Sequence, residues 1–209
     1  MHSNSIIRPL RLAALASTAL MLSACSDSTR SDESSTAAPA AISQQSSTCW
    51  SFSPTAAEGG TGWHPVRAGV AITPADGGAA MSVTYHRTRG KPAGVAFHLT
   101  PTASERLSTI ALRMSAAPDQ RLSVCLTDGK GVVWTFPTIK ALGDVGEFTL
   151  SASEIKPDPF QNAGKEVPAQ PDWSSMRMLT ILDITGFMGA AEADCSWRIE
   201  FVRGEEGER

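Results

Sequence analysis

Histidines are the side chains of this 209-residue chain best suited to acid–base chemistry near neutral pH. There are four of them, His2, His64, His86 and His98, and no Ser–His–Asp arrangement at a fixed spacing accompanies them. The sequence contains no G-x-S-x-G, H-E-x-x-H or P-loop pattern. Its carboxylates are scattered, so no pair is singled out for glycoside hydrolysis. We therefore expect a protein that is not an enzyme and uses no cofactor.

Planar and aromatic side chains point to a second kind of chemistry, the binding of a sugar. In such sites aromatic faces stack on sugar C–H surfaces, while Arg and His bond the hydroxyl groups. Trp63 and Trp173 lie in the loop-like segments GGTGWHP and QPDWSS, and His98 and Arg113 lie on strands that we expect to be near neighbours. These four are the candidate ligand-binding residues, and the same predicted outer face would add Thr84, His86 and Thr135. The alternatives are tryptophans that cover the edge of the core and a solvated outer sheet face.

The elements that must position these residues are strands, because apolar and polar residues alternate along much of the chain. Alternating runs begin at Met81, Val95, Ile110, Leu122, Val132 and Trp197. Turn sequences such as ADGG, APDQ and DGKG separate or precede them. Trp50, Trp134 and Trp197 keep step with apolar residues and are expected in the core. Many short strands with turns every 8–12 residues or so predict an all-β, antiparallel β-sandwich.

The longest irregular segment, KPDPFQNAGKEVPAQPD, runs from Lys156 to Asp172 and holds four prolines. Long loops in compact domains usually carry function or are mobile. The alternative is a solvated crossing between two sheets. Short helical turns are expected near Ser151–Ile155 or Trp173–Met176.

The first residues resemble an export signal. Arg8 and Arg11 precede an apolar stretch that is too short to span a membrane, for which about 20 apolar residues are needed. The stretch ends in Leu-Ser-Ala-Cys, which resembles the lipobox of bacterial lipoproteins and implies diacylglycerol on Cys25. By the same resemblance, Ser26 favours the outer membrane, facing the periplasm. The alternative is an ordinary secretory signal with an incidental cysteine.

Composition divides the chain into four parts. Residues 1–24 are the expected signal peptide, and residues 25–48 form a tether rich in Ser, Thr and Ala, with too few apolar side chains to fold. Residues 49–203 are the expected sandwich, and residues 204–209 a disordered tail. The formal net charge is −3 and no basic block is present, which argues against a nucleic-acid partner.

Three cysteines remain after Cys25, namely Cys49, Cys125 and Cys195, and they allow three different single disulfides. Export makes a disulfide plausible. Cys49 begins the first predicted strand and Cys195 the last, and terminal strands often lie side by side in sandwiches. We therefore expect a Cys49–Cys195 disulfide, with Cys125 as a free buried thiol, although strand parity could turn Cys49 away from the core.

The order of these features is similar to that of galactose-binding-like jelly rolls. The resemblance is carried by CWSFS…GGTGW, GGAAMSVTYHRTRGKPAGVAFHL, LSTIALRMSAAPDQRLSVCLTDGKGVVWTFP, GEFTLSASEI and MRMLTILDIT…CSWRIEFV. That group includes non-catalytic carbohydrate-binding modules and the complex I intermediate-associated protein type. It implies a jelly roll and, in some members, a structural Ca²⁺, for which Glu58, Asp194 and Glu200 would be the oxygen donors. Ordinary surface carboxylates are the preferred interpretation, so no metal is expected.

The sequence therefore predicts a lipid-anchored binding protein of the cell envelope that binds a carbohydrate and does not catalyse. The first alternative is a protein-interaction or assembly-factor lipoprotein without a sugar ligand. The second is an enzyme of unrecognised type. A sugar-binding module would expose Trp63 or Trp173 near His98 and Arg113, whereas an assembly factor would expose an apolar patch.

Overall fold

Alternation of apolar and polar residues forms strands through most of the chain, as predicted. The computed structural model describes residues 48–52, 62–100, 104–141 and 143–207. The predicted signal peptide, the lipidation site Cys25, the tether before Thr48 and the candidate calcium ligand Glu58 lie outside the described residues. No helix in the described part of the chain is long and apolar enough to cross a membrane.

Thirteen strands are found among the described residues. They are β1 (Thr48–Phe52), β2 (Trp63–Pro65), β3 (Val70–Ala75), β4 (Ala80–Arg87), β5 (Ala93–His98), β6 (Leu107–Ala116), β7 (Arg121–Asp128), β8 (Val133–Thr135), β9 (Ile139–Lys140), β10 (Gly146–Ser151), β11 (Lys156–Pro157), β12 (Met176–Asp183) and β13 (Ala193–Glu206). Four short 3₁₀ helices accompany them, at Asp76–Gly78, Ala152–Glu154, Trp173–Ser175 and Thr185–Met188. The second and third lie where the sequence predicted helical turns.

The strands form two antiparallel sheets. The six-stranded sheet has the order β10-β6-β13-β4-β3, and β1 also pairs with β13. The seven-stranded sheet has the order β11-β8-β7-β12-β5-β2, and β9 also pairs with β7. Every strand pair is antiparallel. The predicted fold class, an all-β sandwich, is confirmed.

Side chains from the inner faces of both sheets form one core. The six-stranded sheet contributes residues such as Met81, Val83, Leu112 and Ile199, and the seven-stranded sheet contributes Val95, Phe97, Val124, Leu126 and Ile181, all 1% exposed or less. Trp50, Trp134 and Trp197 are buried in this core, as their parity predicted. Burial of apolar surface stabilises a fold by about 25 cal/mol per Å², so this core is the main stabilising contribution to the fold.

The last strand is longer than expected. The sequence predicted a disordered tail from residue 204, but β13 continues to Glu206 and is paired on both sides there, with β1 and with β6. Gly204 is buried beneath the indole of Trp50, where an added Cβ would overlap the ring. A glycine that looked like the start of a solvated tail is therefore the point where the first strand packs closely on the last.

The predicted Cys49–Cys195 disulfide is wrong, although the first and last strands do lie side by side. In the register of β1 and β13, Trp50 is opposite Gly204 and Thr48 is opposite Glu205. Cys195 is nine residues from Gly204 along β13, roughly 30 Å at the usual rise of a strand. Disulfides need Cα atoms within about 7 Å. Cys195 is accordingly a free thiol, and Cys125 is free and buried, as expected.

Candidate functional site

A groove of about 510 Å³ crosses the outer face of the seven-stranded sheet. Its floor is set by strand register, which aligns His64, Ala96, Thr180 and Cys125 in one row across β2, β5, β12 and β7. Thr135 of β8 extends the row beyond Cys125. The side chains in the middle of the row are small, so the floor is low between taller neighbours. The groove thus exists because small residues, Ala96, Thr180, Cys125 and Thr135, occupy outward positions of the adjacent strands β5, β12, β7 and β8.

Two of the strands that form the groove floor, β5 and β12, approach each other closely. Gly94 of β5 lies opposite Leu182 of β12, and a Cβ on Gly94 would collide with the backbone carbonyl of Ile181. The β5–β12 pair can therefore keep its spacing only with glycine at this position.

Two stacked imidazoles stand on one side of the groove. The rings of His64 and His98 lie 4.8 Å apart with an interplanar angle of 17°. His64 lines the groove, and His98, at the end of β5, is exposed beside it. Their ring nitrogens supply donors and acceptors suited to hydroxyl groups.

A loop stands on the opposite side and brings Gln161 over the groove floor. Its base is fixed to β8, because the Asn162 side-chain amide exchanges hydrogen bonds of 2.9 and 2.7 Å with the backbone of Val133. Asp158 caps the loop by accepting hydrogen bonds of 2.8 Å from the backbone amides of Phe160 and Gln161. Next to Gln161, the Phe160 side chain is 88% exposed. The loop therefore presents a polar amide to the groove and carries an exposed aromatic ring beside it in sequence.

Cys125 forms part of the groove floor and is a buried free thiol. It is 1% exposed and lies 3.4 Å from the Ser123 hydroxyl and 3.6 Å from that of Thr135. Burial raises the pKa of the Cys125 thiol above its usual range, which keeps it protonated at neutral pH. This cysteine acts as a small apolar floor residue.

The structure does not bring the four predicted ligand-binding residues together, and the two tryptophans among them belong to the core or its edge. Trp63 points inward, is 8% exposed and packs against Phe97 in the core, so it is not an exposed stacking residue. Trp173 is half-buried and packs against the core. Of the two interpretations of these tryptophans, the one that places them at the edge of the core matches the structure.

The expected adjacency of His98 and Arg113 is also wrong. His98 is on β5 of the seven-stranded sheet, whereas Arg113 is on β6 of the six-stranded sheet, where its Nε lies 2.8 Å from Glu200 Oε2. The predicted platform is divided in the same way, because His86 and Thr84 belong to β4 and Thr135 to β8. Of the four predicted ligand-binding residues, only His98 lies beside the groove.

The two described calcium candidates do not meet. Asp194 pairs with His86 at 2.9 Å, and Glu200 pairs with Arg113. In the described part of the chain, no group of three or more His, Cys, Asp or Glu residues could hold a metal ion.

Sequence reasoning missed most of the groove. The residues it did not select include His64, Arg67, Lys91, Thr127, Gln161, Met178 and Thr180. One signal pointed to part of them: the irregular segment Lys156–Asp172, which contains Phe160 and Gln161, was singled out as a loop that could carry function. Nothing in the spacing of the other residues marks them, because they meet only through strand pairing.

The sequence matches no protein-family model and no curated protein. The fold is similar to that of the family 11 carbohydrate-binding module of cellulosomal cellulase Lic26A-Cel5E of Clostridium thermocellum, with a TM-score of 0.56 and 14% identity over 78% of this chain and 99% of that chain. The Clostridium thermocellum family 11 module in complex with a β-1,3-1,4-mixed-linked tetrasaccharide gives a TM-score of 0.54 and 13% identity over 74% and 94% of the two chains.

An exo-β-agarase structure gives a TM-score of 0.52 and 12% identity over 76% of this chain, but only 25% of the agarase chain is covered. The similarity in fold therefore covers only a part of the agarase. At these identities the comparisons show a fold, the jelly-roll β-sandwich found in carbohydrate-binding modules.

Proposed function

We propose that this domain binds a carbohydrate chain in the groove on the outer face of its seven-stranded sheet and that it does not catalyse. The observation that carries the proposal is the groove itself, a trough open to solvent with a hydroxyl-bearing floor and polar edges. Thr127 and Thr180 offer hydroxyls, Gln161 an amide and His64 an imidazole. The exposed ring of Phe160, next to Gln161 in the chain, is available for stacking on a sugar. This combination suits an extended chain of sugars.

The fold likeness supports the proposal without carrying it. One similar structure is described as a module in complex with a tetrasaccharide, and carbohydrate-binding modules are the recurring neighbours in fold. A non-catalytic role agrees with the absence of a recognised catalytic pattern in the sequence.

We place the domain, again as a proposal, in the cell envelope. The Leu-Ser-Ala-Cys sequence supports lipidation at Cys25, and Ser26 favours the outer membrane with the domain facing the periplasm. Metabolic labelling with an alkyne fatty acid tests this step. Label should appear in the wild-type chain and be lost in Cys25→Ala, and label on both or on neither would refute lipidation at this residue.

Glycan binding is tested with the full-length protein in detergent on an array that includes plant, algal and bacterial polysaccharides. We expect binding that Gln161→Ala and His64→Ala weaken while the unfolding transition stays unchanged. Arg106→Gln, on an exposed turn before β6, is the control and should bind normally. Absence of binding to every glycan would overturn the proposal.

A second candidate function, a protein-interaction lipoprotein, is favoured by a different surface. Phe187 and Met188 are 59% and 64% exposed on the 3₁₀ helix that follows β12. Neighbouring exposed apolar side chains of this size are typical of contact sites. If Phe187→Ser abolished capture of an envelope protein that Gln161→Ala still captured, this second function would replace the first.

A further inference from the structure

The charged residues that line the groove all have one sign. Of the 14 described residues that line it, Arg67 and Lys91 are cationic and none is Asp or Glu. The whole chain has the opposite balance, with 21 acidic and 18 basic residues. A groove that collects cations on a net acidic protein focuses a positive potential where a ligand would lie.

The two cations are held near one end of the groove. Arg67 follows β2, and its Nη2 donates a 3.0 Å hydrogen bond to the backbone carbonyl of His86, which fixes the guanidinium. Its Nε is buried and has no hydrogen-bond partner among the described residues. Lys91 is exposed in the turn before β5. Neither side chain is engaged in an ion pair with a described carboxylate, so their charges remain available to a ligand.

The carboxylate of Asp158, on the loop that covers the groove floor, is already used by that loop. Asp158 accepts hydrogen bonds from the amides of Phe160 and Gln161 and a third, of 3.1 Å, from Gln161 Nε2. These donors satisfy it, and it does not line the groove. No described acidic side chain therefore neutralises the Arg67–Lys91 end from within the groove.

We infer that the groove selects an anionic sugar chain, one whose residues carry carboxylate or sulfate groups, and that Arg67 and Lys91 bind those groups. This inference rests on the proposed function and deepens it. Guanidinium and ammonium groups form charge-assisted hydrogen bonds with carboxylate and sulfate oxygens, about twice as strong as neutral ones. Neutral sugars would leave both cations without an anionic partner, whereas an anionic chain supplies one.

The test compares sugar chains that differ only in charge. Full-length protein in detergent is titrated calorimetrically with a β-1,4-linked mannuronate hexasaccharide and with β-1,4-mannohexaose, which share a backbone and differ in the C6 carboxylate. A κ-carrageenan hexasaccharide carries sulfate without carboxylate and separates the two sources of charge. We expect the mannuronate chain, the sulfated chain or both to bind about tenfold or more tightly than mannohexaose. Raising NaCl from about 50 to about 500 mM should weaken this binding.

Charge-removing variants locate the effect. Lys91→Gln and Arg67→Gln should each weaken binding of the anionic chain by about tenfold and leave binding of a neutral chain within about twofold. Arg106→Gln removes the same charge from the exposed turn before β6 and should change neither. Lys91 is exposed, so its variant tests the inference even if Arg67→Gln loses stability.

The outcomes separate this inference from the function on which it rests. If mannohexaose or another neutral glycan binds in the groove as tightly as the anionic chains, the charge selection is wrong and glycan binding stands. If no glycan of either kind binds, both fail. If anionic chains bind but Lys91→Gln and Arg67→Gln bind as the wild type does, the groove is not where the charge is recognised and the inference is overturned.

Discussion

The hydroxyl of Tyr85 on β4 donates a 2.5 Å hydrogen bond to the carboxylate of Asp183 on β12 and so joins the two sheets through the core. The same hydroxyl accepts a 2.7 Å hydrogen bond from Gln120 Nε2. The other oxygen of Asp183 accepts from the backbone amide and hydroxyl of Thr185. These residues are almost fully buried, so the network is a polar clamp inside an otherwise apolar interface.

Tyr85 should remain protonated for as long as the chain is folded. Burial, together with the hydrogen bond to Asp183, raises the pKa of Tyr85 far above its usual value of about 10. Above that pH the unfolded chain loses the proton while the folded chain keeps it, so the free energy of unfolding falls as pH rises. Tyr85 is the sole tyrosine, and absorbance of tyrosinate at ~295 nm reports it alone.

We expect no tyrosinate absorbance near pH 10.5 until urea unfolds the protein. Tyr85→Phe should lose the part of the pH dependence that comes from this hydroxyl. It should also lower the free energy of unfolding at neutral pH by about 1–3 kcal/mol, because Asp183 and Gln120 lose a buried partner. Tyrosinate absorbance rising near pH 10 in the folded protein would contradict the buried hydrogen bond.

Arg87 should contribute far more to stability than the aspartate with which it pairs at the surface. Its guanidinium is 5% exposed and lies 2.8 Å from Asp119 and 3.5 Å from the buried Asp183. Arg87→Met would leave the Asp183 charge buried without its cation and should cost about 3–5 kcal/mol. Asp119 is 61% exposed, so Asp119→Asn should cost less than about 1 kcal/mol. Urea denaturation of both variants is the measurement, and equal losses would refute the argument.

Gly94→Ala should destabilise the protein because a methyl group cannot fit between β5 and β12. The added Cβ would overlap the Ile181 carbonyl, so the strands must separate, at a cost of about 1–3 kcal/mol. Gly129→Ala is a matched control, since its Cβ would lie 3.6 Å or more from its neighbours. Thermal denaturation compares the two, and a neutral Gly94→Ala would mean that the groove floor tolerates a wider strand spacing.

Phe160 should matter for ligand binding and not for folding. Its ring is 88% exposed, so Phe160→Ala should leave the free energy of unfolding within about 0.5 kcal/mol of the wild type. Loss of a stacking surface should weaken the bound glycan by about two- to tenfold. Phe187→Ala removes an equally bulky exposed ring from a different element, the 3₁₀ helix that follows β12, and should bind as the wild type does. Equal weakening in the two variants would show that Phe160 has no specific role.

Cys195 and Cys125 should differ in reactivity and should both be reduced. Cys195 is half-buried, and burial raises its thiol pKa, so iodoacetamide should label it slowly in the folded protein. Cys125 is 1% exposed and should react only after unfolding. Peptide mapping by mass spectrometry distinguishes the two sites. A disulfide-linked peptide that joins Cys49 to Cys195 would refute the β1–β13 register.

Strand parity was the most informative part of the sequence. Because side chains alternate between the two faces of a strand, the positions of Trp134 and Trp197 within their apolar runs were enough to place both in the core. The same reasoning gave the fold class. It could not place Trp63, which lies in a Gly-rich segment where only three residues form a strand.

The alternation of apolar and polar residues within each strand did not reveal the order of the strands in the two sheets. His98 and Arg113 are only 15 residues apart, but the chain changes sheets between β5 and β6. The pair that does meet, His64 and His98, is brought together by the β2–β5 ladder. Register also separates Cys49 from Cys195. Their strands are neighbours, but the part of β13 that lies opposite β1 is about nine residues from Cys195 along the strand. Pairing over long distances in sequence is a property of the whole sandwich, so local periodicity contains little information about it.

The register of β1 also determines at which end of the sandwich the first strand begins. Thr48 is opposite Glu205, whereas Ala193, at the other end of β13, is opposite Arg87, just before the turn that holds Lys91. These two ends of β13 are roughly 40 Å apart along the strand. The first strand therefore begins at the end of β13 that is remote from Lys91, so β1 leaves the Lys91 end of the groove open to a long polymer.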